Sequence, residues 1–157
     1  MMIVNSHSET PTLRIIHREI NRKNRRYKMA KILIVDDEEE MRDISSQIFK
    51  LEGHEVDTAA DGDDAIYKVK HNKYDLLLVD LVLPGRLNGL DIIKKIRTVL
   101  SNVYIIAYSG FSGIDITEKV IRAGADNFLP KPFKRQELVD MVNLFTKNKT
   151  HDQAIIR

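Results

Sequence analysis

Ile32-Leu33-Ile34-Val35-Asp36-Asp37 and Leu76-Leu77-Leu78-Val79-Asp80 decide the fold. Each is a run of four apolar residues that ends in acid. A strand buried on one face alternates apolar and polar residues, whereas a strand covered on both faces reads as a continuous apolar run. Working outward, helical spacing recurs between such runs. Met41, Ile44, Ile48 and Leu51 predict a helix that Gly53 stops. Glu55 to Ala59 alternates weakly as a second strand, Asp61-Gly62 turns the chain, and a helix is expected around Ala65 to Lys70. Leu90, Ile93, Ile96 and Leu100 mark the next helix, Val103 to Ala107 a fourth strand, and Ile116, Val120 and Ala123 a short helix ending at Gly124. Asn127 to Leu129 reads as a fifth strand, and Leu138, Met141, Val142 and Phe145 as a last amphipathic helix. Five strands alternating with five helices predict an α/β fold, a doubly wound parallel sheet covered on both faces.

The 157 residues suit one domain, and 43% hydrophobic with 31% charged residues is ordinary globular usage. The absence of cysteine excludes disulfides, thiolate metal sites and a cysteine nucleophile. No apolar run reaches membrane-spanning length and no secretion signal opens the chain, so no membrane insertion and a cytoplasmic location are expected. The formal charge of +2 is uneven. Residues 1–28 carry seven Lys/Arg against Glu9 and Glu19, a balance of +5, whereas 29–157 carry 18 Lys/Arg against 21 Asp/Glu, a balance of −3. This basic leader reads as a disordered, solvated tail more readily than as a nucleic-acid or lipid contact. Thr10-Pro11 opens a candidate helix with Leu13, Ile16 and Ile20 on one face. Met29 directly precedes the first strand, so 1–28 is also readable as a start-site extension. The expected organisation is leader 1–28, folded domain 29–146 and a polar, fraying tail 147–157.

Open α/β sheets place ligands beyond the carboxyl ends of their strands. There the sequence puts Asp36-Asp37, Asp80, Ser109 and Lys131-Pro132. Each has an ordinary reading: Asp37 as a helix cap, Asp80 and Ser109 as turn residues, Lys131 as a surface cation. Together they are harder to dismiss. Three clustered carboxylates repel unless a cation sits among them, and hard oxygen ligands without His or Cys suit Mg²⁺. A carboxylate is also a nucleophile able to form an aspartyl phosphate, a transfer that depends on positioning and charge neutralisation.

The sequence resembles the CheY-like receiver domain of response regulators in two-component signalling. The resemblance rests on Lys31-Ile-Leu-Ile-Val-Asp-Asp-Glu38, Asp80-Leu-Val-Leu-Pro84 with Gly89-Leu90, Ser109-Gly110, and Gly124-Ala-Asp-Asn-Phe-Leu-Pro-Lys-Pro-Phe133. It runs from about Lys31 to Phe145. It implies a flavodoxin-like strand order of 2-1-3-4-5, with Asp80 as phosphoacceptor from a sensor histidine kinase or phosphotransfer protein. Asp37 would bind Mg²⁺ directly, Asp36 mainly through water, and Val82 through its backbone carbonyl. Lys131 would pair with the phosphoryl oxygens. Ser109 would bond the phosphoryl group, and Gly110 would leave it room. Phe128 would be the aromatic switch, and Lys131-Pro132 a cis peptide. The implied readout is the face of the fourth helix, fifth strand and fifth helix, presented to a downstream protein. With 12 residues after Phe145, a stand-alone receiver without output domain is expected, and nucleic-acid binding is not.

Two departures stand out. The loop Pro84-Gly-Arg-Leu-Asn-Gly89 is one residue longer than the commonest family form, which leaves its geometry open. The resemblance implies that the positions two beyond Asp80 and Ser109 tune hydrolysis of the aspartyl phosphate; here they are Val82 and Phe111, which cannot orient water by hydrogen bonding, so a long-lived aspartyl phosphate is expected. A haloacid-dehalogenase-type phosphatase, which needs a second acid at Val82, and a nucleotide-binding protein, which needs a glycine-rich phosphate loop, are both disfavoured. So is a pseudo-receiver lacking phosphorylation, because every site residue is present.

Overall fold

The computed structural model describes residues 11–12, 15–16 and 29–155, with side chains in the last helix described to Lys147. Pro11, Thr12, Ile15 and Ile16 are helical and exposed. Leu13, Ile20 and the rest of the basic leader lie outside the described residues.

Five strands form one parallel sheet: β1 (Lys31–Val35), β2 (Glu55–Ala59), β3 (Leu76–Asp80), β4 (Tyr104–Ser109) and β5 (Asn127–Pro130), in the order β2-β1-β3-β4-β5. The helices between and after them are α1 (Glu39–Leu51), α2 (Gly62–His71), α3 (Gly89–Val99), α4 (Ile114–Ala123) and α5 (Arg135–Ile155). The continuous apolar runs are the interior strands β1 and β3, as expected. One core lies between the sheet and α2, α3 and α4, built on Leu33, Val35, Leu77 and Val79 with Ile92, Ile93, Ile96 and Val120. The other lies between the sheet and α1 and α5, built on Ile32, Ile34, Leu76 and Leu78 with Phe49, Leu138, Val142 and Phe145. Successive strand residues point to opposite faces, which is why both layers draw on the same strands.

Gly53 and Gly124 stop α1 and α4 as expected, with φ of +89° and +113°, a backbone conformation that favours glycine. Three expectations need correction. The buried face of α1 is not the Met41–Ile44–Ile48–Leu51 stripe, because Ile44 and Leu51 are exposed and the helix buries Ser45, Ser46, Ile48 and Phe49. The fully buried Phe49 anchors that face, while the small serines fill less space beside it. Strand β4 runs past Ala107 through Tyr108 and Ser109. The polar stretch from Lys147 does not end α5, which stays helical to Ile155.

The longer loop before α3 is anchored rather than slack. Leu83 and Leu87 are buried against the α2–α3 core, and Asn88 caps α3 in a reciprocal capping box with Asp91.

Candidate functional site

Strand order reverses between β1 and β3, and their carboxyl ends carry Asp36 and Asp80. Asp36 is 0% exposed and Asp80 3%. The loop after β1 is stapled by Arg42, whose Nη1 donates to the carbonyls of Asp36 (2.8 Å) and Asp37 (3.0 Å). Asp36 Oδ1 accepts from the Glu38 backbone N–H at 2.8 Å. Asp36 Oδ2 accepts from the phenol of Tyr108. Asp80 Oδ1 accepts from the Val82 N–H at 2.9 Å, and its Oδ2 from Lys131 Nζ at 2.9 Å. Lys131 Nζ also lies 3.5 Å from Asp36 Oδ2. Its backbone is tied to the end of β4, where the Lys131 N–H donates to the Ser109 carbonyl at 2.7 Å; the Lys131–Pro132 peptide is cis, as the resemblance implies.

Glycine is needed behind Asp80. A Cβ on Gly89, the first residue of α3, would overlap the backbone of Asp80 and Leu81. The helix thus packs directly onto the chain that presents the carboxylate.

The charges are only partly balanced. Carboxylate oxygens of Asp36, Glu38 and Asp80 lie within 4.8 Å of one another. Burial pushes the Asp80 carboxyl above its usual range; the Val82 N–H and Lys131 pull it back, and the Asp36 charge adds to the rise. Burial alone would lower Lys131, but the hydrogen bond and charge of Asp80, then Asp36 and Glu38, hold it above the ordinary lysine value. Three converging hard-oxygen donors against one ammonium fit a divalent cation such as Mg²⁺.

The structure brings together Asp36, Asp80 and Lys131 of the residues expected from sequence. Asp37, expected as the direct ligand, is exposed and outside the converging group, and it does not cap α1. Glu38, which the sequence reading left aside, joins Asp36 and Asp80 in that group. Ser109 is buried at the end of β4, where its Oγ accepts from the Phe111 N–H at 3.1 Å. Phe128 pairs with Ala107 in the sheet and packs, half-buried, against the α3–α4 core. Val82 and Phe111 expose their side chains (54% and 66%) at the rim. Tyr108 was also missed, because in β4 it reads as one more large residue of a buried strand.

A doubly wound parallel sheet with an acid pair and a lysine at its switch point defines a flavodoxin-like domain with its charged groups where such folds bind ligands. Residues 32–143 match the model of the response regulator receiver domain, and the chain belongs to that family, which acts in two-component signalling. It is 40% identical over 112 residues to the transcriptional regulatory protein CpxR homolog of Haemophilus influenzae, covering 71% of this chain and 48% of that protein. It is 31% identical to sporulation initiation phosphotransferase F of Bacillus subtilis over 77% of this chain and 97% of that one. The chain thus spans about half the length of the first relative and nearly all of the second. Among solved structures, a CheY-like receiver domain protein of Methanospirillum hungatei superposes with a TM-score of 0.74 at 26% identity, covering 80% of this chain and 99% of that one. Receiver domains bind Mg²⁺ at an acidic pocket, and no helix among the described residues is long and apolar enough to cross a membrane.

Proposed function

We propose that the chain accepts a phosphoryl group on Asp80 from the phosphohistidine of a sensor kinase or phosphotransfer protein. The observation that carries this is the Asp80 carboxylate, fixed by Val82 and Lys131 and faced by Asp36 and Glu38 at the switch point. The carboxylate attacks phosphorus. The Asp80 O–P bond forms as the P–N bond breaks, and the imidazole leaves with the electron pair and is protonated by solvent. Lys131 follows the phosphoryl oxygens, and Ser109 turns its hydroxyl toward them. The proposed Mg²⁺ ligands are Asp36, Asp37, Asp80 and the Val82 carbonyl; the geometry adds Glu38. When bound, the cation neutralises negative charge on the phosphoryl oxygens. The likeness to a sporulation initiation phosphotransferase over 97% of its length supports phosphoryl transfer as the activity. We assign the receiver unit to residues 29–146.

Ser109 and Phe128 then link the occupied site to the α4–β5–α5 face, which a partner protein reads. Because Val82 and Phe111 offer no hydrogen bond to a hydrolytic water, the phosphorylated state is long-lived. The test is intact-protein mass after incubation with Mg²⁺ and acetyl phosphate, beside Asp80→Asn. A phosphoryl adduct that requires both Mg²⁺ and Asp80 is expected. An adduct that survives in Asp80→Asn, or none from several phosphodonors, overturns the reading, and decay within seconds overturns the long lifetime.

A further inference from the structure

Tyr108 touches both the acids and the cation of this site, and the reading above gives it no part. It stands opposite Asp80 in the β3–β4 register. Its ring is fully buried on the α1/α5 side of the sheet. From there its phenol reaches past β3 and donates to Asp36 Oδ2 at the end of β1. The same ring lies beneath Lys131, whose Nζ is 4.5 Å from the ring centroid, and Phe133 closes on it edge-on at 6.1 Å. With Oδ1 held by the Glu38 N–H and Oδ2 by the phenol, the buried Asp36 carboxylate is fixed in its plane.

We propose that Tyr108 is a positioning residue for divalent-cation binding: its hydroxyl orients Asp36 while its ring seats Lys131 over Asp80. This rests on the reading of Asp36, Glu38 and Asp80 as the cation site. The direction of the effect follows from what remains when the hydroxyl is removed. A buried carboxylate needs donors, and Lys131, already 3.5 Å from Asp36 Oδ2, is the nearest ammonium. Drawn toward Asp36, it moves a positive charge deeper among the acids, where it competes with Mg²⁺. The phenol therefore frees Lys131 to stay with Asp80. The ring contributes separately, since an aromatic face attracts an ammonium without the hydroxyl.

The experiment is calorimetric Mg²⁺ titration of the full chain, wild type against Tyr108→Phe, with Tyr104→Phe as a control on the same strand. Tyr104 stacks on Phe145 away from the acids. Tyr108→Phe is expected to bind Mg²⁺ about tenfold more weakly, the scale on which losing a hydrogen bond to a ligating group acts. Tyr104→Phe is expected to bind as wild type. Labelling by acetyl phosphate should slow in Tyr108→Phe at low Mg²⁺ and return to the wild-type rate at saturating Mg²⁺. A second measurement uses the wild-type fold directly: Mg²⁺ should change the near-ultraviolet tyrosine spectrum of wild type and Tyr104→Phe but not of Tyr108→Phe. Wild type that binds while Tyr108→Phe matches it within twofold overturns this inference alone. A wild type that takes up no Mg²⁺ overturns the reading of the acid cluster and this inference with it.

Discussion

Arg97 and Lys131 reach into opposite edges of the sheet and meet opposite company. At the amino-terminal edge, Arg97 leaves the last turn of α3 and donates to the carbonyls of Gly124 (2.9 and 2.6 Å), Ser101 (3.0 Å) and Val103 (2.8 Å) and to Asp126 Oδ2 (2.9 Å). Asp126 in turn accepts the N–H of Ile105. Nearby, Asp75 takes the N–H of Lys31 and His54 that of Ala30. Each of these groups has a fixed protein partner. At the carboxyl edge one ammonium faces three carboxylates. The first edge ties α3, α4 and β4 together, and the second is left with surplus negative charge. The same fold thus gives the named groups of one end fixed partners and leaves the other with unbalanced charge, as functional sites commonly depart from the rules the rest of a protein obeys.

The comparison breaks first, and hardest, at Arg97. Arg97→Ala takes the Arg97 donor from three carbonyls and leaves Asp126 Oδ2 with only the Ile105 N–H, and it is expected to cost about 3 kcal/mol, given charge-assisted hydrogen bonds worth roughly 1.5–3 kcal/mol each but not additive. Urea unfolding measures this. A loss below about 1 kcal/mol would show that the amino-terminal edge is no tighter than an ordinary surface.

A smaller effect of opposite sign is expected at the other edge. Burial and the Asp36 charge disfavour the ionised Asp80 carboxylate, and Lys131 keeps Asp36 as a partner at 3.5 Å, so Asp80→Asn should stabilise the ion-free protein by about 1 kcal/mol. Mg²⁺ should then raise the melting temperature of wild type and leave that of Asp80→Asn nearly unchanged, since binding to the native state alone stabilises it. If Asp80→Asn is less stable than wild type without Mg²⁺, the carboxyl edge holds no surplus charge and the contrast fails.

Much of this division was legible before the fold was known, and the rest was hidden for identifiable reasons. The interior strands were readable because burial on both faces leaves an unbroken apolar run, and Asp36 and Asp80 because each closes such a run. Adjacency in sequence does not by itself bring the Asp37 carboxylate in among those of Asp36 and Asp80. Alternation along β1 carries Ile32, Ile34 and Asp36 to one face, so the next residue turns outward, while Glu38, two along, curls back as the chain enters α1. The spacing i, i+2 across three consecutive acids was the available signal. Tyr108 was hidden because a large residue in a buried strand reads as core, and only its hydroxyl distinguishes it. Arg97 was hidden because a basic residue in the last turn of a helix is ordinary. Its partners Gly124 and Asp126 are 27 and 29 residues away, where only tertiary structure brings them. The face of α1 was misassigned because four spaced hydrophobics outweighed one phenylalanine with serines three and four residues before it.

The smallest effect separates the edges by their response to acid. His54 is buried at the amino-terminal edge with Nδ1 accepting the Ala30 N–H, and burial lowers its affinity for a proton despite the nearby Glu52 charge. Its folded-state value therefore lies below the unfolded one, near 6.5. Its contribution to stability is complete above that unfolded value and is lost as pH falls through the lowered folded value. Asp80 runs the other way: its carboxyl is raised in the fold, so acidification toward the carboxylate range removes the cost of its charge, and the advantage of Asp80→Asn shrinks. Between neutral pH and the onset of carboxylate titration the His54 slope dominates, at no more than about 1.4 kcal/mol per pH unit, the limit for one proton. His54→Gln, measured by urea unfolding across this range, is expected to flatten the slope. A variant whose stability falls with acid as steeply as wild type would place the sensitivity elsewhere and leave the two edges indistinguishable by titration.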